Sequence, residues 1–236
     1  MDNSFYLEDA EIIKQLFLKS PHLQSNSLYK GKMGIVLFLY EFANLTQNDA
    51  FKRFASFLLD LLWEDIEMDS PINLALGLSG IGVGIELLSQ RKFIDCNNTS
   101  ELCFELNNQI MTQNIYRLTD YTFETGLSGI IYYVLIHIKN NRHHSFDKVF
   151  LSEIFEKCIQ IDQAKLNEIS KFYISYYLDY FKGEKNNNLN PQLSHFINKK
   201  SVKNLKSMDD MGLYEGIVGY LYLKYFSDEM EAGENS

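Results

Sequence analysis

Four times along the chain, two glycines three residues apart are followed by an apolar run. They are Gly31-Lys32-Met33-Gly34, Gly77-Leu78-Ser79-Gly80, Gly126-Leu127-Ser128-Gly129 and Gly216-Ile217-Val218-Gly219. A glycine inside a helix costs roughly 1 kcal/mol relative to alanine, so a recurring pair marks a backbone constraint that each copy must meet. The first glycines are separated by 46, 49 and 90 residues. The last interval is about two periods, and halving it places a degenerate copy near residue 171. There the chain reads "SKFYISYYLDYF", with Lys171 and Ile174 at the glycine positions. Self-similarity at this period is the mark of a repeat architecture, in which each unit buries its apolar face only against its neighbours.

Each of the five repeats holds two helical segments. After the glycines the apolar residues recur at i, i+3, i+4 and i+7, as in Ile35, Phe38, Leu39 and Phe42 and in Tyr173, Tyr176, Tyr177 and Tyr180. Between these inner helices lie more charged, amphipathic stretches: "EDAEIIKQLFLKS", "AFKRFASFLLDLLWEDI", "SELCFELNNQIMTQNIYRL", "FDKVFLSEIFEKCIQI" and "PQLSHFINKKSVKNL". These predict outer helices. Pro21, Pro71 and Pro191 fall in connectors, where they interrupt no helix. No run of strands is evident. The expectation is therefore an all-α chain of about ten helices over residues 5–227. It forms a single domain spanning 1–236, with a polar tail from about 228 and a helix over about 167–182.

Composition excludes several functions. Lys and Arg number 22 against 31 Asp and Glu, a formal charge of −9, so no excess positive field is available to bind a phosphate backbone. No nucleic-acid partner is expected. The apolar runs are too short for a membrane span of about 20 residues, "GIVLFLYEFANL" being broken by Glu41. The three cysteines, Cys96, Cys103 and Cys158, have no Cys-x-x-Cys spacing, and no secretory signal precedes them. They read as reduced structural thiols of a cytoplasmic protein, with no histidine at a ligand spacing.

The glycines themselves read as structural, allowing neighbouring inner helices to approach at their N-terminal ends. A helix N-terminus also carries free N–H groups and partial positive charge, so the residues just ahead of each first glycine are the places to look for function. These are Tyr29-Lys30, Ala75-Leu76, Glu124-Thr125 and Tyr214-Glu215. Glu124 and Glu215 form the matched acidic pair. They either complement their helix dipoles or face a common cavity, where they could bind a basic peptide or act as acid and base. Lys30 and Lys32 read as solvated. His143-His144 reads as a polar connector, and the tyrosines 173, 176, 177 and 180 read as core or as a stacking platform.

The repeated motif, "LYKGKMGI" and "LALGLSGIGVGIELL" resemble the lanthionine synthetase C-like family, the cyclases of lanthipeptide biosynthesis, over about residues 25 to 227. The resemblance implies an α/α toroid that adds peptide cysteine thiols to dehydrated Ser or Thr, using a zinc ion held by two cysteines and a histidine. The family sets those ligands in W-C-x-G and C-H-G contexts ahead of late repeat glycines. Here those positions hold Glu124-Thr125 and Tyr214-Glu215, and the family ring has more repeats than five. The expectation is a toroid-like array of about five helical hairpins, with an incomplete ring allowed and with no metal or other cofactor. Its function would be that of a pseudo-enzyme, a peptide-binding or accessory protein whose partner is a precursor peptide or a modifying enzyme of the same pathway. The alternative is a zinc-independent enzyme of the α/α toroid class using Glu124 and Glu215 as acid and base with Tyr214. Whether it is an enzyme stays open at this point.

Overall fold

The computed structural model describes residues 9–96, 98–184, 189, 191–203 and 209–233, the last seven in backbone course only. The helices in chain order are α1 (Ala10–Lys19), α2 (Lys32–Thr46), α3 (Asp49–Glu64), α4 (Leu78–Gln90), α5 (Thr99–Leu102), α6 (Phe104–Met111), α7 (Leu127–Asn140), α8 (Lys148–Gln160), α9 (Glu168–Phe181), α10 (Lys199–Val202) and α11 (Ile217–Gly233). The described residues contain no strand, so the all-α class is established. None of these helices is long and apolar enough to cross a membrane.

Two compact units result. One comprises residues 1–66 and 191–236, the other 67–190. In the first, α2 and α3 form a tight hairpin. Gln47 takes the left-handed conformation that ends α2, and Asn48 caps α3 by accepting the Ala50 N–H at 3.0 Å. On α3 the buried residues Phe51, Ala55, Leu58, Leu59 and Leu62 form one stripe, as expected of an outer helix. On α2 every residue from Lys32 to Ala43 is buried, as befits an inner helix. Helix α11 packs on α2, so the first and last repeats adjoin. In the second unit α4 and α7 are inner helices, buried from Leu78 to Leu88 and from Leu127 to His137. Helices α8 and α9 complete that unit.

The repeat has a fixed local geometry. Gly31, Gly77 and Gly126 are the N-caps of α2, α4 and α7, with φ of −118°, −125° and −111° and ψ of −168°, −165° and −164°. In all four copies the first helical N–H donates to the carbonyl seven residues upstream. The pairs are Lys32 to Ser25, Leu78 to Pro71, Leu127 to Asp120 and Ile217 to Asp210, at 3.0, 2.8, 3.0 and 2.8 Å. This folds the preceding loop back under the helix start. A Cβ on Gly31, Gly77, Gly126 or Gly216 would meet that loop's own backbone at 2.3, 1.8, 2.5 or 2.4 Å. The second glycine faces the carbonyl six residues upstream, at 2.3 Å for Gly34, 2.1 Å for Gly129 and 2.3 Å for Gly219. The backbone that crowds the glycines is thus mainly each repeat's own loop. A neighbouring repeat adds only side-chain contacts, Leu213 on Gly34 and Leu74 on Gly129.

The helix expected over about 167–182 is α9, Glu168–Phe181, opened by an ordinary Asn167 cap with Lys171 and Ile174 inside it. Three expectations need correction. The segment "SELCFELNNQIMTQNIYRL" is not one helix; it breaks into α5, α6 and a 3₁₀ turn at Ile115–Arg117. "PQLSHFINKKSVKNL" gives only a 3₁₀ turn at Leu193–Phe196 and the short α10, because Asn198 caps a new start by accepting the Ser201 N–H; residues 204 and 205 lie outside the described residues. At the far end α11 runs on through Gly233, into the segment read as a polar tail.

Candidate functional site

The loops ahead of the repeat glycines are built from the fold-back just described. Because the first helical N–H of each copy is already taken by the chain's own carbonyl, the helix starts offer fewer open donors than the sequence suggests. In the α4 loop, Ser79 Oγ closes a further bond on Ile72 O at 2.5 Å. Neighbouring loops are also tied to one another through their main chains, two residues before the repeat glycine: the Ala75 N–H donates to Glu124 O at 2.8 Å and the Tyr214 N–H to Tyr29 O at 3.1 Å. Tyr214 O in turn accepts from the N–H of Asn198, the cap of α10, at 2.7 Å.

The candidate residues divide between the two units. In the unit of 1–66 and 191–236, Tyr29 is buried and stacks on Tyr214 with ring centroids 4.5 Å apart. Lys30 is exposed. The Glu215 carboxylate accepts from Asn198 Nδ2 and Ser201 Oγ, both at 3.1 Å, and so pins the start of α10. Lys32, expected to be solvated, is buried instead. Its Nζ donates to Asp65 Oδ2 at 3.1 Å and Asn26 Oδ1 at 3.2 Å, which offsets a cation at the positive end of α2.

In the unit of 67–190, Thr125 is exposed and donates to Asp120 Oδ2 at 2.6 Å, while the Thr122 hydroxyl donates to Asp120 Oδ1 at 2.7 Å. Burial acts to raise the Asp120 carboxyl, but these hydrogen bonds outweigh it and hold it below the ordinary carboxylate value. Glu124 is half-buried. Its carboxylate has no hydrogen bond or ion pair among the described residues. The structure thus separates two residues that look alike in sequence: Glu215 is engaged, and Glu124 is open.

The remaining candidates are chiefly packing groups. Tyr177 is buried and donates to Leu151 O at 2.8 Å, Tyr173 stacks on Phe123 at 5.0 Å, and Tyr176 is buried; Tyr180 alone of the four is exposed. His143 is exposed and His144 half-buried, with burial and then the nearby His137 lowering the His144 imidazole. Cys158 is buried, and desolvation pushes its thiol up to about 12.

A polar cluster that the sequence reading passed over lies at the other ends of the inner helices. Glu86 of α4, His137 of α7 and Cys103, at the joint of α5 and α6, are each fully buried. One donor atom from each lies within 4.8 Å of the other two. Glu86 Oε1 and His137 Nδ1 are 2.7 Å apart. The carboxylate also accepts from Thr99 Oγ1 at 2.5 Å, Asn140 Nδ2 at 2.7 Å and Asn141 Nδ2 at 3.2 Å. His137 Nε2 lies 3.0 Å from the Asn107 side-chain amide and 3.3 Å from Ser100 Oγ. Burial, and then the Glu86 charge, push the Cys103 thiol far up, so in the absence of a cation it is protonated. No histidine stands at a ligand spacing from the cysteines in the sequence, but the fold brings donor atoms of Cys103 and His137 within 4.8 Å. The signal was available as Glu86 in "GIELL" and His137 in "VLIHI", ionisable residues set inside apolar runs.

The zinc set that the resemblance implies does not fit the loop face. Ahead of the glycines stand carboxylates, a threonine and a tyrosine, with no thiol or imidazole among them. Among the described residues, the thiol and imidazole that come together, Cys103 and His137, are buried, with His137 near the C-terminal end of α7. A search of curated proteins finds no significant match. The family model for lanthionine synthetase C-like protein, however, matches residues 22–178, well over half of the chain, taking in α2, α4 and α7 and reaching into α9. With the shared loop geometry of its repeats, that match means that the chain belongs to the lanthionine synthetase C-like family.

Proposed function

We propose that the protein serves lanthipeptide-type modification as a peptide-binding or accessory component, without the thiol-activating zinc of the cyclases. Family membership supports the pathway. The observation that carries the finer reading is the Glu124 carboxylate, half-buried ahead of the Gly126 cap and without a partner among the described residues. A carboxylate sheltered from water attracts a cationic group more strongly than an exposed pair, which is worth about 0 to 1 kcal/mol. A basic precursor peptide is the ligand of matching chemistry. Glu215, held by Asn198 and Ser201, supports the loop and is not free to act as the second acid of an acid–base pair.

Calorimetric titration of the full chain with a basic lanthipeptide precursor tests this. Glu124→Gln should weaken binding several-fold at low salt with an unchanged melting temperature. Glu215→Gln should lower the melting temperature, by losing bonds that hold α10. Equal peptide affinity for wild type and E124Q would remove Glu124 from the site. A parallel assay with a dehydrated precursor should show no thioether formation above the uncatalysed rate; catalysed ring closure would show that the protein is a cyclase after all.

A further inference from the structure

We infer that Glu86, Cys103 and His137 form a buried site for a divalent metal of the zinc class, which clamps α4, α7 and the α5–α6 joint together. The donors are a carboxylate oxygen, an imidazole nitrogen and a thiol sulfur, three of the four that a tetrahedral zinc takes, the fourth being a water or the second Glu86 oxygen. They come from three separate stretches of chain, yet their donor atoms gather within 4.8 Å with every side chain fully buried. This place is distinct from the loop face, where the family's thiol-activating set would belong.

Charge makes the case sharper. Glu86 is fully buried, and its only ion-pair partner among the described residues is His137; no Lys or Arg reaches it. A cation among the three groups would offset the charge that burial penalises on such a carboxylate. The side chains that would bind it are already held from outside. Asn107 lies against His137 Nε2 and also receives Tyr133 Oη at 2.6 Å, while Thr99 and Asn140 hold the carboxylate. Such outer contacts fix the orientation of metal ligands, and Ser100 Oγ, 3.3 Å from Nε2, can accept an Nε2–H. Binding would then proceed with a simple proton balance. Starting from neutral imidazole, the Cys103 S–H proton leaves to solvent, the imidazole proton moves from Nδ1 to Nε2, and Nδ1 and Oε1, 2.7 Å apart without the metal, separate to bind it.

The test uses the full-length chain without a histidine tag, stripped with chelator and titrated with Co(II). One cobalt per chain is expected, with a near-ultraviolet sulfur-to-cobalt charge-transfer band and the visible absorption of a tetrahedral ion. Cys103→Ser should abolish the ultraviolet band and weaken binding at least ~10-fold, while Cys158→Ser, a buried thiol elsewhere, should leave both intact and so serve as the folding control. Zinc should raise the melting temperature of wild type and C158S but not of C103S. Absence of stoichiometric cobalt, or a band that survives C103S, would overturn the site; a doubly protonated His137 in nitrogen-15 spectra would then identify the cluster as an ion pair.

Discussion

Glu124 stands two residues and Glu215 one residue ahead of the glycine that opens its helix, and their chemistry is decided by what lies beside them. Asn198 and Ser201 occupy one carboxylate, and nothing among the described residues occupies the other. Neighbours of this kind come from other segments, so the motif alone does not say which glutamate is engaged. The cysteines obey the same logic. Cys96 is partly exposed, while Cys103 and Cys158 are buried with their thiols pushed up by desolvation. Because the thiolate is the reacting form, iodoacetamide at pH 8 should label Cys96 alone in the native protein and all three cysteines after unfolding. Mass spectrometry of tryptic peptides reads the result, and rapid native labelling of Cys158 would mean that the α8 region opens readily.

At the scale of the elements, the repeat is a closed loop joined to a helix start, and the glycine is the hinge of that closure. Gly77→Ala would force a Cβ to 1.8 Å from Pro71 O, so the loop or helix must move. The expected loss is at least ~2 kcal/mol, as for overpacked sites. By contrast, Gly183→Ala has open space around it and meets only the cost of its positive φ of 82°, about 1 to 2 kcal/mol. Chemical denaturation of both variants checks the order. The period of the glycines was enough to place four helix starts and the span of α9, because a missing Cβ is visible in the sequence itself. Less could be read where a polar side chain decides the break. Asn198 and Asn98 start short helices within stretches whose apolar spacing alone suggests longer ones, and the buried Glu86–His137 cluster joins residues of different repeats.

The molecule as a whole is divided unevenly along its chain. Residues 67–190 form one unit from a continuous segment, whereas the other is assembled from both flanking stretches. A fragment of residues 67–190 retains the mutual packing of α4 to α9 and should unfold cooperatively by circular dichroism. A chain ending at residue 190 leaves α2 without α11, so fluorescence from the single tryptophan, Trp63 on α3, should show a non-cooperative transition there. A fragment without a cooperative melt would show that the two units fold only together.

The stacking of Tyr29 on Tyr214, and the hydrogen bond between their loops, carries a consequence for how the protein is made. At roughly 5 to 20 residues per second on the ribosome, the first inner helix emerges on the order of tens of seconds before its partner is synthesised. Throughout that interval the apolar side of α2 that α11 will cover is bare, while the central segment already has its own neighbours. Nascent chains should therefore become protease-resistant in the middle before the beginning, and a chaperone that holds apolar helices would find its target in the first repeat.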